Sequence, residues 1–395
     1  MKFLLSFVAG FVFLFSQAAP NASAQLITRA DAPNPAAEST SPTMSDREKK
    51  GLRGPVKSCV EETTFPAAPT GDGTIIPERK DSYTTEYDLQ GGTLMTSMSN
   101  TDGVPWVTRY TYDASGRLLQ LQTGKDGGPT TQTVYSYDDH GKLLSITDSK
   151  SPGNPVTFHY DEQGRKTSVL VSRPEDYRPN MAVAGSPFEG LSMPPNLPGG
   201  GTSTTLYDDQ DRPIEIQVRD AQGQVVNRAL RIYDSQGRIS EEKQIQDNPE
   251  MMFPAEVRAQ IVQQAGASPE EAGAVMEQLR AQLKEFMGGQ PGYYSTAYTY
   301  DSQGRATATR RRIFNQEQNI ETTYNEHGDK AGEITRSTKI GGAASDPGFP
   351  PYSETRYSYQ YDDHDNWTGQ TISSRSAPDG AFEFSQRLQR SLTYY

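Results

Sequence analysis

Adjacent carboxylates recur along the chain, at Asp138-Asp139, Asp208-Asp209 and Asp362-Asp363. Two carboxylates cleave a glycosidic bond only when they flank it in space. Neighbours in one short segment do not give that arrangement, and a catalytic pair is needed once, not at intervals. The four histidines keep the same company. His140, His327 and His364 lie in or beside Asp-x-x-Gly stretches, and His159 precedes a Tyr-Asp pair. Asp and His together suit a metal, but polar turn tips are where both residues are at home anyway, and no recognised metal-site spacing is present. Nor is there a phosphate loop or a nucleophile motif. The reading is no catalytic residue, no metal ligand, no cofactor and no enzyme. One binding chemistry stays open. Trp106 and Trp367 are candidates for stacking on a sugar, as are the pairs Tyr110 with Tyr112, Tyr135 with Tyr137 and Tyr298 with Tyr300. Residues two apart on a strand share a face, so the same rings also suit a packed sheet, which is the simpler reading.

These residues are positioned by an internal repeat. Tyr300-Asp301-Ser302-Gln303-Gly304-Arg305 matches Tyr233-Asp234-Ser235-Gln236-Gly237-Arg238 letter for letter. Looser copies carry Tyr112, Asp113 and Gly116; Tyr137, Asp138 and Gly141; and Tyr160, Asp161 and Gly164. Weaker ones begin at Tyr87, Tyr207, Tyr324 and Tyr361, with a period of roughly 24 residues and three interruptions. The flanking runs, such as Thr133–Tyr137 and Lys142–Thr147, are rich in β-branched and aromatic residues. Between them Asp can bond its own backbone two residues on, and Gly tolerates the left-handed conformation of a type I turn followed by a bulge. Each unit therefore reads as a β-hairpin, with Tyr ending one strand and Arg or Lys opening the next. The fold class expected is mainly β: an antiparallel array of roughly eighteen short strands forming a curled sheet or a partial barrel or shell.

A Tyr-Asp-x-x-Gly-Arg unit at this period resembles the YD-repeat, or RHS-repeat, proteins. The resemblance covers the chain from about Tyr83 to its end. It implies hairpins spiralling into a hollow shell, which in the toxin members encloses a released C-terminal polypeptide. This sequence has fewer repeats, no convincing autoproteolysis motif after them (Asp346-Pro347-Gly348 lies inside) and no toxin domain, so it looks like a short exported bacterial member. A small toxin-related carrier shell and a glycan-active enzyme are the more distant alternatives.

The rest of the chain qualifies that picture. Lys2, the apolar run to Phe15 and Ala22-Ser23-Ala24 read as a signal peptide over 1–24, cut after Ala24. Residues 25–50, rich in Ala, Pro, Ser and Thr, read as a disordered linker. The β domain is expected over 51–395, closed by a last strand at Arg390–Tyr395. It is interrupted by a Pro/Gly-rich loop at 173–203, a helical hairpin at 253–288 and a short loop at 341–352. The hairpin is signalled by Ser268-Pro269-Glu270-Glu271 and by Val275, Met276, Leu279, Leu283, Phe286 and Met287 at helical spacing. It is expected to cover sheet surface or an edge. Cys59, the single cysteine, reads as a buried small hydrophobe. A net charge of -12 disfavours nucleic acid and anionic membrane surfaces. Arg310-Arg311-Arg312 should split between the two faces of a strand. No membrane span remains after the signal. The sequence thus points to a secreted or periplasmic protein with a structural or interaction role, its partner a protein or polysaccharide at the cell surface.

Overall fold

The computed structural model describes residues 44–69, 74–99, 103–173, 197–286, 294–313, 316–340 and 349–395. The protein is mainly β. Its long strands belong to one 20-stranded antiparallel sheet, with a separate two-stranded pair at Ala68–Pro69 and Ile75–Ile76. Among the described residues three α-helices accompany them: α1 (Asp46–Lys49), α2 (Ala255–Gln264) and α3 (Ala272–Phe286). Among the described residues no helix is long and apolar enough to cross a membrane. The expected signal peptide, the linker up to residue 43, residues 174–196, 287–288 and 341–348 lie outside the described residues.

Two compact units divide the chain. One takes in 35–153, 320–336 and 350–395. Its strands pair in the order Tyr352–Tyr361, Trp367–Arg375, Glu383–Tyr394, Val56–Phe65, Arg79–Tyr87, Thr93–Ser99, Trp106–Tyr112, Leu118–Lys125, Thr130–Tyr137 and Leu143–Asp148. Val56–Phe65 breaks chain order by lying between the last strand and Arg79–Tyr87, so the end of the chain is joined to its beginning. Leu52, Val56, Cys59 and Tyr87 form a buried cluster at this joint, packed by Leu392 and Tyr394. Cys59 is free and buried, and burial pushes its thiol up to about 11.

Residues 44–50, within the stretch read as linker, are ordered. Ser45 and Glu48 form a capping box at the start of α1. Arg47 N–H donates to Gly91 O at 3.0 Å, and Thr93 N–H donates to Asp46 Oδ2 at 3.1 Å. The helix thus docks on the first repeat turn, where Gly92 stands in place of the usual Arg.

The other unit takes in 1–34, 154–319 and 337–349. Val156–Tyr160, Lys166–Ser172, Gly200–Tyr207, Pro213–Arg219, Val225–Tyr233, Ile239–Gln246, Tyr294–Tyr300 and Ala306–Ile313 pair in chain order. Two loop boundaries shift. Gly200 to Ser203 belong to a strand, because Gly200 and Gly201 pair with Ser172 and Val171 at positive φ. A Cβ on Gly201 would stand 2.0 Å from Arg219 O, so these glycines permit close backbone approach rather than forming a loop. Tyr352 likewise opens a strand rather than ending a loop.

In the helical insertion, Ser268 N–H donates to Glu271 Oε2 at 2.9 Å, and α3 begins at the next residue. Ile261 and Leu279 are the buried residues of the helix pair. What ties the pair to the sheet is a 3-10 turn at Pro249–Met252. Just before it, the Asp247 and Asn248 N–H groups both donate to Val226 O at 2.9 Å. Glu250, only 2% exposed, accepts Arg280 Nε at 2.8 Å and so pins α3 to that turn.

Candidate functional site

The repeated turn is a closed hydrogen-bond set. Asp301 Oδ1 accepts the N–H groups of Gln303 and Arg305, each at 2.9 Å, and its Oδ2 accepts Arg305 Nε at 2.8 Å. Asp113, Asp208 and Asp234 repeat this geometry with Arg117, Arg212 and Arg238. Asp161 accepts Arg165 N–H and Nε in the same way. Asp138 accepts the N–H groups of His140 and Lys142. The Arg305 N–H holds the Asp301 carboxyl below its ordinary range, and Arg117 does the same for Asp113. Gly116, Gly141, Gly164, Gly237 and Gly304 all have positive φ, and the register slips by one residue at the end of each such hairpin. This is the turn plus bulge that the sequence predicts. Gly304 at φ 78° has open space where a Cβ would go. Gly304→Ala should therefore cost only the left-handed backbone penalty, about 1 kcal/mol, read as a lower urea midpoint.

The tyrosines do more than end strands. Five of them reach back to the preceding turn and donate the hydroxyl to the first carbonyl of that turn's return strand. Tyr112 reaches Thr93 O at 2.8 Å, Tyr137 reaches Leu118 O at 2.7 Å, and Tyr207 reaches Lys166 O at 2.8 Å. Tyr233 reaches Pro213 O at 2.9 Å and Tyr300 reaches Ile239 O at 2.6 Å. The Arg of the preceding turn covers the ring, as Arg238 does for Tyr300 at 4.6 Å and Arg212 for Tyr233 at 4.4 Å. Tyr300→Phe keeps the ring and its cover but removes the hydroxyl, with an expected loss of about 1 kcal/mol in urea unfolding.

Two turns depart from the pattern. Where Asp329 and Asn366 replace the Arg, histidine supplies the cover: His327 stacks on Tyr361 at 4.0 Å and His364 on Tyr394 at 4.2 Å. Tyr361 donates to Asp329 Oδ2 and Tyr394 to Asp362 Oδ2. Arg53 binds both turns, through Asn366 Oδ1, Asp365 O and His327 O. His327 and His364 therefore each stack on a tyrosine, although only His327 is half-buried; His364, like His140, is exposed.

In each adjacent carboxylate pair the first member is bonded within its turn and the second, Asp139, Asp209 or Asp363, is exposed. Trp367 is covered by the Arg390 guanidinium at 3.3 Å, and Arg390 in turn donates to Glu61. Trp106 is 41% exposed, opposite the exposed Met98.

Convergent charge does occur elsewhere, on one face of four consecutive strands in the second unit. Arg231 pairs with Glu242, Glu242 with Thr296, and Thr296 with Arg311. Directly paired residues share a face. Glu242 is 8% exposed and Thr296 1%. Glu242 Oε1 accepts Arg231 Nη2 at 2.6 Å and Nε at 3.0 Å, and its Oε2 accepts the Tyr298 hydroxyl at 3.2 Å. Burial, with the Glu242 carboxylate beside it, pushes the Tyr298 phenol well up. At the far end, Thr296 Oγ1 and Arg311 Nε are buried without a hydrogen-bond partner among the described residues. Arg310 points to the other face and is exposed, so the arginine run splits as expected. None of Arg231, Glu242, Thr296 or Arg311 stands out in the sequence as a site. Their signal lay in the register, which the bulge opposite Tyr233 fixes: Tyr233 faces Ile239, and Arg231 therefore faces Glu242.

No family model and no curated protein matches the chain. Among solved structures it is similar to a TcdB2–TccC3–Cdc42 structure at 12% identity and TM-score 0.35, over 82% of this chain and 15% of that one. It is also similar to a Tc holotoxin pore of Photorhabdus luminescens at 12% identity and TM-score 0.33, over 78% of this chain and 15% of that one. A porin-like protein from Bacteroides uniformis matches at 11% identity and TM-score 0.30, over 86% and 98%. The chain spans about 15% of the length of the first two.

Proposed function

We propose that this chain is an exported, non-catalytic β-repeat protein of the YD-repeat type, with a structural or interaction role at the cell envelope or outside the cell. One observation carries the reading. The Asp that follows each repeat Tyr is bonded by donors of its own turn, and five of the tyrosines are spent on linking one turn to the next. Groups bound in this way maintain a scaffold and are not positioned to transfer protons to a substrate. The test is to export and purify the mature chain and present it with panels of glycosidase, peptidase and esterase substrates. Turnover no greater than that of a heat-unfolded control is expected. Turnover that disappears in Glu242→Gln would sink the reading, and retention of the full chain in the cytosol would sink its export. A second reading, carbohydrate binding, is favoured by the exposed Trp106 indole. Retention on immobilised polysaccharide that is lost in Trp106→Ala would support it.

A further inference from the structure

One position of the repeat departs from its own rule. Six residues after the turn Asp, at the bulge, four hairpins carry a small hydroxyl. Thr167, Ser240, Thr307 and Thr368 each donate to the carbonyl of the residue before the repeat Tyr, at 3.2, 3.2, 3.4 and 3.4 Å. In three consecutive hairpins of the unit that takes in 35–153 the same position is leucine: Leu94, Leu119 and Leu144. A leucine side chain makes no such bond, and these three are 40%, 37% and 42% exposed. Each sits at the same slip of register, so all three occupy one place in one turn geometry and stand on one side of the sheet. A bonded hydroxyl has thus been exchanged for an exposed apolar group three times in succession. The hairpin itself does not need the exchange, since four others do without it, and exposed apolar surface that recurs in register marks a contact.

Register sets the spacing. Met95 faces Arg109, which puts Leu94 level with Tyr110, and Leu119 lies at the bulge opposite Thr111 and Tyr112. Gln120 faces Val134, which puts Leu119 level with Tyr135, and Leu144 lies at the bulge opposite Ser136 and Tyr137. Each step therefore crosses two strands and shifts along them by between one and two residues, about 11 Å in all. An extended peptide presents one face about every 7 Å, and a polyproline helix about every 9 Å. An α-helix returns to one face at every seventh residue, about 10.5 Å, and is the match. Exposed carboxylates stand beside the leucines at Glu86 and Asp139, Arg117 is spent on Asp113, and the whole chain carries -12. The complement is therefore basic. We propose that Leu94, Leu119 and Leu144 form a docking row for an amphipathic helix of a partner protein, with apolar residues in heptad register and lysine or arginine beside them. The inference rests on the reading of the chain as an interaction protein and not an enzyme.

The probe is a labelled peptide of about 21 residues, three heptads with Leu at the first and fourth positions and Lys and Gln elsewhere. Its fluorescence anisotropy is followed as the full mature chain is added. Binding at micromolar concentration is expected. A scrambled peptide of the same composition, and a counterpart with Glu for every Lys, should each bind roughly tenfold more weakly or worse. Leu119→Thr gives the hairpin the residue type that Thr307 has in its own, so the fold is kept while the contact is lost. A single Thr in the docking row should weaken binding several-fold, and Thr at all three positions by more than about tenfold. Ile232→Thr, at a residue 46% exposed but outside the row, should leave it unchanged. Absence of binding, equal binding of the scrambled peptide, or unchanged affinity in the triple variant would each overturn the proposal. Dimerisation in sedimentation that the triple variant abolishes would assign the row to a second copy of the chain and would overturn it too. Cleavage of the peptide in the same samples would instead overturn the non-catalytic reading, which a failure to bind leaves standing.

Discussion

Replacing Lys166 by Met should stabilise the protein at pH 7 by up to about 3 kcal/mol, an unusual direction for a core substitution. Lys166 is 6% exposed, and among the described residues its Nζ has no hydrogen-bond partner, while the Phe158 ring lies 5.4 Å away. The matching position after other repeat turns is apolar in most, as Leu118, Leu143, Pro213, Ile239, Ala306 and Trp367, with Thr93 and the exposed Lys330 the exceptions. Burial pulls the ammonium down to about 8 from 10.5, and at about 1.4 kcal/mol per pH unit that difference amounts to about 3 kcal/mol. The sign follows from proton counting. Between pH 8 and 10.5 the unfolded chain binds more protons at this lysine than the folded one, so stability rises with pH through that window. Below pH 8 the full cost is present, and Lys166→Met removes it.

The tyrosines set the upper limit of the same profile. Burial pushes Tyr135 and Tyr357 up to about 12, against 10 in the unfolded chain. Their contribution is complete below pH 10 and is lost as pH rises through the folded value. Urea unfolding at constant salt should thus show wild-type stability climbing from pH 8 toward 10 and then falling. Lys166→Met should lack the climb and keep the fall. A variant no more stable than wild type at pH 7 would mean that the ammonium finds a compensating partner.

The difference between what the sequence makes plain and what it hides is a difference between local and cross-strand causes. Asp301 and Gly304 act within four residues of each other, through an Asx bond and a left-handed backbone, so residue type alone announces them. The bond from Ser268 N–H to Glu271 is equally local, but α3 begins at Ala272 rather than at Pro269, because residues 269–271 form a turn first. Tyr300 is different. Its period marks it as repeated, but its partner is the carbonyl of Ile239, 61 residues away and across the helical insertion. Nothing in a Tyr-Asp dipeptide states that a hydroxyl reaches the neighbouring turn. Gly199-Gly200-Gly201 misleads for a related reason. Glycine in sequence suggests a loop, whereas here it admits neighbouring backbone to a strand. The row from Arg231 to Arg311 was hidden by the ordinary rule that charged strand residues face water.

That row supplies the other large effect. Arg231→Met should destabilise the protein by about 3–5 kcal/mol, the range for removing one member of a buried ion pair. Arg231 and Glu242 expose only 12% and 10% of their side chains, so water cannot replace the lost guanidinium cheaply. The variant keeps the Tyr298 hydroxyl on Oε2 but strips a directly bonded counter-charge from Oε1. Chemical denaturation at constant pH should show the loss as a lower urea midpoint. The double change Arg231→Met with Glu242→Leu should recover most of the loss, because an apolar pair of similar volume needs no desolvation. If Arg231→Met costs under about 1 kcal/mol, as an exposed pair would, the face carrying Glu242 and Thr296 is wet rather than buried. The donors on Thr296 and Arg311 would then be bonded to solvent rather than left unpaired.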